Sequence, residues 1–332
     1  QEFQFAWRVA ARVGTAPWLM NGHGKDEASD LVEDGGAIKR HALDHRLLQT
    51  VLCGGKVCAV RCLLLESADP NAVFVFGQEE EFTGTALAAA SIYSTPSIVK
   101  LLIDEGKAST EAHFAWKGGL FATRWSGHVP FAAVVAGRLD TLRVLALVPG
   151  TRIDGKIASF FSLEGHPNAT LLYEASCRGH VDSVRFLARR GMDLDTSVTH
   201  ADDPGLRLTP LHAAARAGHP EVTEVLISAR ANMEVTSRTD DKAATTPLFH
   251  AIENGQYKVA RLLVQRGADL FTALPGTTSC MDRLLKKRNV VTIAAVADGL
   301  HRVDEETLQR LSSQQVVSFL STPGEAPGKF LQ

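Results

Sequence analysis

The run Thr209-Pro-Leu-His-Ala-Ala-Ala-Arg-Ala-Gly218-His recurs in weaker form along most of the 332-residue chain. If its Thr is position 0, the copies share a small apolar residue at +5, Gly or Ser at +9 and Leu at +17. The copies start at Arg46, Thr85, His128, Thr170, Thr209 and Thr246. A recurring unit of this size predicts a solenoid, in which each unit stacks on its neighbours.

Each shared position has a physical role in a helix-turn-helix unit. A small residue at +5, such as Ala214, keeps the first helix thin enough for neighbouring units to approach closely. Gly at +9, such as Gly218, supplies the left-handed residue that ends this helix in a tight reversal. Apolar residues at +13 or +14 and at +16 and +17 form one face of a second helix. One helix pair cannot bury that face alone, so stacking is predicted.

Three of the copies carry a family resemblance. The segments Thr209–Ala214, Thr246–Ala251 and Thr85–Ala90 resemble the first helix of an ankyrin repeat. The resemblance covers residues 46–270, with a degenerate repeat to residue 297, and departs from the family where Arg46 and His128 replace Thr. It implies an all-α fold, an ankyrin-repeat solenoid of stacked helix-turn-helix units with extended inter-repeat fingers.

The chain therefore divides into three predicted regions. Residues 1–45 show no repeat and form an N-terminal cap or the end of a preceding segment. Residues 46–297 form the solenoid, with six repeats and a degenerate seventh near Thr278. Residues 298–332 form a C-terminal helical cap and a loose tail, since degenerate terminal repeats commonly cap a solenoid.

The repeats are longer than the family's usual unit of about 33 residues. Successive starts lie 39, 43, 42, 39 and 37 residues apart, and the spacing within the helices is constant, so the surplus falls in the connections. The first three connections, or fingers, span residues 68–84, 106–127 and 149–168. They contain nine of the chain's 22 aromatic residues: Phe74, Phe76, Phe82, Phe114, Trp116, Phe121, Trp125, Phe160 and Phe161.

Two interpretations of these finger rings stay open at the level of sequence. The fingers can fold back and bury the rings on their own solenoid, as large aromatic side chains usually are. Alternatively, the rings form a partner-binding patch, because interface cores favour Trp, Tyr and Phe. On the second interpretation the predicted anchors are Phe76, Phe114, Trp116, Phe121 and Trp125.

The sequence offers little for catalysis or for a metal. It has no Gly-rich phosphate loop and no Gly-x-Ser-x-Gly motif. His212, His180 and His219 fall in or beside the repeat turns, where the resemblance implies a structural role. Cys53, Cys58 and Cys62, with His41 and His45 upstream, fit no familiar zinc spacing. Because Cys62 takes position +16, we expect these cysteines to be small core residues. We predict no enzyme activity, cofactor or metal.

Composition limits the choice of partner. The net charge is −2, so no basic field points to nucleic acid. No run of 18 apolar residues occurs, so the sequence predicts no membrane span. Five cysteines without a framework spacing favour a reducing compartment, which makes the expected location intracellular and cytoplasmic.

These observations predict a monomeric, non-catalytic scaffold or adaptor module that binds a partner protein through its fingers and concave face. An alternative is a regulatory or substrate-recruiting region of a larger enzyme, ubiquitin ligase or channel. A metal-dependent activity at the cysteines is a third, separate hypothesis.

Overall fold

The computed structural model describes residues 35–76, 82–118, 123–153, 169–199, 205–237, 244–271, 278–287 and 290–301. The chain divides into two compact units, residues 1–171 and 172–332. Both are built from pairs of antiparallel helices. In each pair the second helix begins within about six residues of the end of the first, as expected for helix-turn-helix repeats.

The first unit contains three helix pairs among its described residues. The first helices of the pairs stack on one another, α1 on α3 and α3 on α5, and the second helices do the same, α2 on α4 and α4 on α6. Each helix therefore has an equivalent neighbour one repeat away. The helices are α1 (Gly35–Leu52), α2 (Val57–Leu65), α3 (Ala86–Tyr93), α4 (Pro96–Asp104), α5 (Val129–Val135) and α6 (Leu139–Leu145).

The second unit repeats this plan. Its first helices stack in the order α9, α11, α13, and its second helices in the order α8, α10, α12, α14. Helix α7 starts at the boundary between the two units. The helices are α7 (Leu171–Cys177), α8 (Val181–Arg189), α9 (Pro210–Ala217), α10 (Pro220–Ser228), α11 (Pro247–Glu253), α12 (Tyr257–Gln265), α13 (Cys280–Lys287) and α14 (Val290–His301).

The shared positions have the roles that the sequence predicts. The hydroxyl groups of Thr85, Thr209 and Thr246 accept hydrogen bonds from backbone N–H groups in the first turns of α3, α9 and α11, which makes them N-caps. The +5 residues are all fully buried: Val51, Ala90, Ala133, Ala175, Ala214 and Ala251. Four first helices end in a glycine with a left-handed φ of 66° to 81°: Gly137, Gly179, Gly218 and Gly255. The predicted solenoid of helix-turn-helix units is confirmed.

Hydrogen bonds also tie each connecting turn to the next within a unit. In the first unit, side-chain oxygens of Asp44 in α1 and of Asn71 and Glu111 in the turns accept from the backbone N–H groups of residues 69, 109 and 152, at 2.6, 2.7 and 3.0 Å. In the second unit, Asp195 and Glu234 accept in the same way from residues 232 and 269. The turns are mostly exposed, so each bond stabilises only modestly, by about 1 kcal/mol. Their repetition holds adjacent turns in register.

The first two fingers form a β-sheet, which the sequence did not predict. Strands β1 (Phe74–Phe76), β2 (Phe82–Gly84), β3 (His113–Gly118) and β4 (Thr123–His128) pair antiparallel in the order β1-β2-β3-β4. We call this four-stranded array the finger sheet. Strands β5 (Val198–Thr199) and β6 (Arg207–Leu208) make a smaller pair in a finger of the second unit. The strands lie in the connections between helix pairs, and the core of each unit consists of helices.

The prediction that Cys53, Cys58 and Cys62 are core residues was wrong, because all three are exposed. The reason lies in the first repeat. At position +13 the later residues Ile98, Val222 and Val259 are buried, whereas Ala59 of α2 is exposed, as is its neighbour Cys62 at +16. These positions face the preceding helix pair in a stack, and no described helix pair precedes α1 and α2.

Candidate partner-binding surface

The finger sheet arranges its aromatic residues in rows. Register pairing aligns Phe76 with Phe82, Phe82 with Trp116, and Trp116 with Trp125, one residue from each strand. A second row, two residues away along the strands, pairs Phe74 with Gly84 and Phe114 with Gly127. Residues two apart on a strand share a face, so both rows belong to one face of the sheet.

Where its side chains are described, this face packs on the helices of the first unit. Phe74, Phe82 and Phe114 are buried, with Phe114 only 2% exposed. The Phe114 ring centroid lies 6.5 Å from that of Phe131, which is fully buried in α5. At the other end of the sheet, the Phe74 ring meets the edge of His45 from α1 at 5.9 Å.

Two glycines make the close approach of Phe114 and Phe131 possible. A Cβ atom on Gly84 would lie 2.9 Å from Cβ of Phe114, and one on Gly127 would lie 2.9 Å from the Phe131 ring. Real Cβ atoms do not approach other heavy atoms that closely, so a larger residue at Gly127 would push the sheet off α5, and one at Gly84 would push β2 away from Phe114 of β3. Gly127 therefore fixes how the finger sheet sits on α5, and Gly84 allows β2 and β3 to pair closely.

The structure describes the surroundings of only one of the five predicted anchors. Phe114 is part of the packing between the sheet and α5, so its ring is not exposed for a partner. The backbones of Phe76, Trp116 and Trp125 lie in one row of the sheet, but their side chains are outside the described residues, as is all of Phe121. Phe160 and Phe161 of the third finger are also outside them. For these residues the anchor role stays a prediction.

The opposite face of the finger sheet is open. Val73, just before β1, is 64% exposed, and Val75, on β1, is 59% exposed. Thr83 and Ala115 lie in the same cross-strand row as Val75. An open groove of about 590 Å³ follows this face; it is lined by Asn71, Val73, Thr83, Thr85, Ser109, Glu111, Ala112, His113, Phe114 and Ala115.

The open face was not predicted from the sequence, because only aromatic residues were considered as binding groups. The available signal was the alternation in Val73-Phe74-Val75-Phe76, which places two valines opposite two phenylalanines on a strand. Large exposed apolar side chains that lie together on one surface indicate a binding site more strongly than scattered ones do. The open face of the finger sheet is therefore the best-defined candidate surface of the first unit.

The exposed cysteines do not form a catalytic or metal centre with other described residues. Within those residues, no group of three or more His, Cys, Asp and Glu side chains is placed to hold an ion. Although Cys53 is exposed as a residue, partial burial of its thiol raises the pKa, which disfavours the nucleophilic thiolate. The side chain of His41 lies outside the described residues, while that of His45 contacts Phe74.

The buried His212 and the partly buried His250 have structural roles in the second unit. Nε2 of His212 lies 3.2 Å from the carbonyl oxygen of Thr245 and donates to it, and Nδ1 accepts from the N–H of Thr209 at 3.3 Å. Nε2 of His250 lies 3.0 Å from the Thr245 hydroxyl, and the two imidazole rings meet edge to face at 5.4 Å. Burial, above all, lowers the pKa of His212 to about 3 and that of His250 to about 4. Both are neutral at physiological pH.

No helix in the part of the chain that the structure describes is long and apolar enough to cross a membrane.

Comparison with known proteins agrees with this architecture. Residues 172–273 match the family model described as ankyrin repeats in three copies. The ankyrin repeat and KH domain-containing protein mask-1 of Caenorhabditis elegans is 34% identical over 111 residues, which are 32% of this chain and only 4% of that protein. The crystal structure of the ankyrin repeat domain of Bcl-3, a unique member of the IkappaB protein family, matches with a TM-score of 0.55. That match is 22% identical and covers 76% of this chain and 97% of the other, so it shows the fold alone. Residues 172–273 thus carry the sequence pattern of ankyrin repeats, and the chain has the ankyrin-repeat fold.

Proposed function

We propose that this chain is a non-catalytic protein-recognition module, a scaffold or adaptor, that binds a partner protein through the finger sheet and the neighbouring first helices. Ankyrin repeats are protein-interaction modules, and nothing in the helix stack requires a four-stranded sheet in its connections. The observation that carries the proposal is the open face of that sheet. It presents Val73 and Val75 beside a groove, which is a surface that loses water favourably on contact with a partner.

We propose as the second part of this surface the outer end of the sheet, at Phe76, Trp116 and Trp125, although Phe82 of the same row is buried. Phe76, Trp116 and Trp125 lie toward the connections β1–β2 and β3–β4, at the end of the sheet away from Phe114 and α5. Phe121 belongs to the β3–β4 connection. Aromatic residues at the end of a rigid sheet can anchor a partner with little loss of conformational freedom. Phe114 is left out of this proposal because its ring is already buried.

The proposal is tested with Trp116→Ala and Trp125→Ala, measured against the partner protein that the wild-type chain captures. Each truncation is expected to weaken binding roughly thirtyfold, or about 2 kcal/mol, without a change in melting temperature. Tyr257→Ala is the control, because it removes an exposed ring from α12 of the second unit. A lower melting temperature with preserved affinity would show that the rings are core residues and that the site lies elsewhere.

A second candidate function is recruitment within a longer protein. The match to mask-1 spans 4% of that protein, so repeats like these do occur as small parts of long chains. On this interpretation the module regulates, or supplies substrates to, an enzyme, ubiquitin ligase or channel domain elsewhere in the same polypeptide. A full-length transcript distinguishes the two, because only this candidate requires such a domain. Monomeric state and intracellular location remain predictions in both cases.

A further inference from the structure

Two histidines face each other at the base of the second finger. His113 is the first residue of β3 and His128 the last residue of β4, and they are direct register partners. Their ring centroids lie 4.1 Å apart with a tilt of 51° between the ring planes. Directly opposed side chains on antiparallel strands have neighbouring Cβ atoms, so both imidazoles can reach one common point.

A hydrogen bond sets the tautomer of His128. Its Nδ1 lies 2.8 Å from the backbone carbonyl oxygen of Glu111. A carbonyl oxygen only accepts, so Nδ1 carries the proton and Nε2 of the neutral ring keeps its lone pair. This is the arrangement found for histidines that bind metals, where the second ring nitrogen donates to a carbonyl or carboxylate and orients the first.

His113 is accessible to a metal ion. His113 is exposed and lines the open groove of about 590 Å³, which gives a hydrated ion a path to the pair.

We infer that His113 and His128 form a two-histidine site for a late first-row divalent ion such as Zn²⁺, Ni²⁺ or Cu²⁺, with water in the remaining positions. Imidazole nitrogens suit these ions. With nitrogen–metal distances of about 2.0 to 2.1 Å, two rings on one ion have centroids about 5 Å apart. The pair must therefore open by about 1 Å, which rotation of the exposed His113 side chain allows.

The surroundings predict a weak and open site. Among the described residues no third His, Cys, Asp or Glu joins the pair, and the Glu111 carboxylate already accepts from the backbone N–H of residue 152 at 3.0 Å. His113 lines the groove, so water can reach an ion held by the pair. The inference does not depend on the proposed function, since an ion can bind with or without a partner protein.

The test is calorimetric titration of the full chain, purified without a histidine tag, with NiCl₂ as the probe. We expect one Ni²⁺ per chain with micromolar affinity. His113→Asn and His128→Asn are each expected to weaken binding by at least about tenfold, because each removes one of the two ligands. His45→Asn is the matched control, since it removes another histidine of the same unit and leaves the pair intact.

Melting temperatures without metal show whether each variant folds. If His128→Asn is unstable, the decisive variant is His113→Asn, because His113 is exposed and its replacement is expected to leave the fold intact. Wild-type protein that binds no Ni²⁺ at about a hundred micromolar, or His113→Asn protein that binds as tightly as wild type, would overturn the inference.

Discussion

Lowering the pH from about 7 to about 5 is expected to destabilise the second unit by roughly 2 to 4 kcal/mol. In the folded state His212 and His250 stay neutral until the pH approaches their pKa values of about 3 and about 4, whereas their ordinary pKa is 6.5. The unfolded chain therefore binds more protons than the folded chain in this window. Stability is complete above pH 6.5 and is lost as the pH falls toward these values, by about 2 kcal/mol for each histidine at pH 5.

The charges around the pair support this direction. Burial is the main cause for both residues; each imidazolium is also disfavoured by a nearby positive group, His250 for His212 and Arg216 for His250. Only Glu253 acts against the shift at His250. Hydrogen exchange of peptides from α9 and α11, followed at pH 7 and pH 5, measures the effect in the second unit.

The variant His250→Gln tests whether these histidines cause the loss of stability at low pH. His250→Gln removes one titrating ring and keeps a group that can bond to the Thr245 hydroxyl, so the loss of stability between pH 7 and pH 5 is expected to fall by about half. Tryptophan fluorescence is an internal comparison, because none of the chain's four tryptophans lies in residues 172–332. An unchanged pH dependence in His250→Gln would mean that other groups control the acid sensitivity.

Phe131→Ala is expected to destabilise the first unit by about 3 to 5 kcal/mol. The ring is fully buried between α5 and the finger sheet, where it contacts Phe114. Its removal leaves a cavity that the sheet cannot fill without moving, because Gly127 contributes no side chain there. Urea unfolding followed by tryptophan fluorescence measures the change, since two tryptophans lie in β3 and β4.

Leu147→Ala is the control for this variant. It also shortens a large apolar side chain in the first unit, but Leu147 is exposed, so the expected change is within about 0.5 kcal/mol. If Phe131→Ala costs less than about 1 kcal/mol, the sheet is not held to α5 through this ring, and the placement of the finger sheet needs another explanation.

The helix stack was predictable because its constraints recur. A buried small residue at +5 is needed wherever first helices approach each other, so Ala90, Ala214 and Ala251 repeat at constant spacing. The second repeat departs from the pattern at position +9, where a serine and not a glycine follows the first helix. Ser94 ends α3 with an ordinary φ of −104°, and its hydroxyl bonds instead to the carbonyl of Val51.

The finger sheet was not predictable in the same way. Strands β1 and β2 have three residues each, so the alternation at Val73–Phe76 is too short to predict a strand by itself. The sheet is completed by pairing of β2 with β3, which come from separate insertions, so no single segment reveals all four strands. The error at Cys62 has a similar origin, because burial at position +16 depends on a neighbouring repeat and not on the residue itself.

The most direct test of the proposed recognition surface is site-specific photocrosslinking in cells. A benzophenone amino acid replaces Val75 on the open face of the finger sheet in one variant, and Val291 of α14 in the other. The two valines are matched in exposure, at 59% and 58%, so they differ in location and not in accessibility. The proposal predicts a discrete crosslinked partner protein from position 75 and none from position 291. Equal crosslinking from both positions, or a partner captured from position 291 alone, would contradict it.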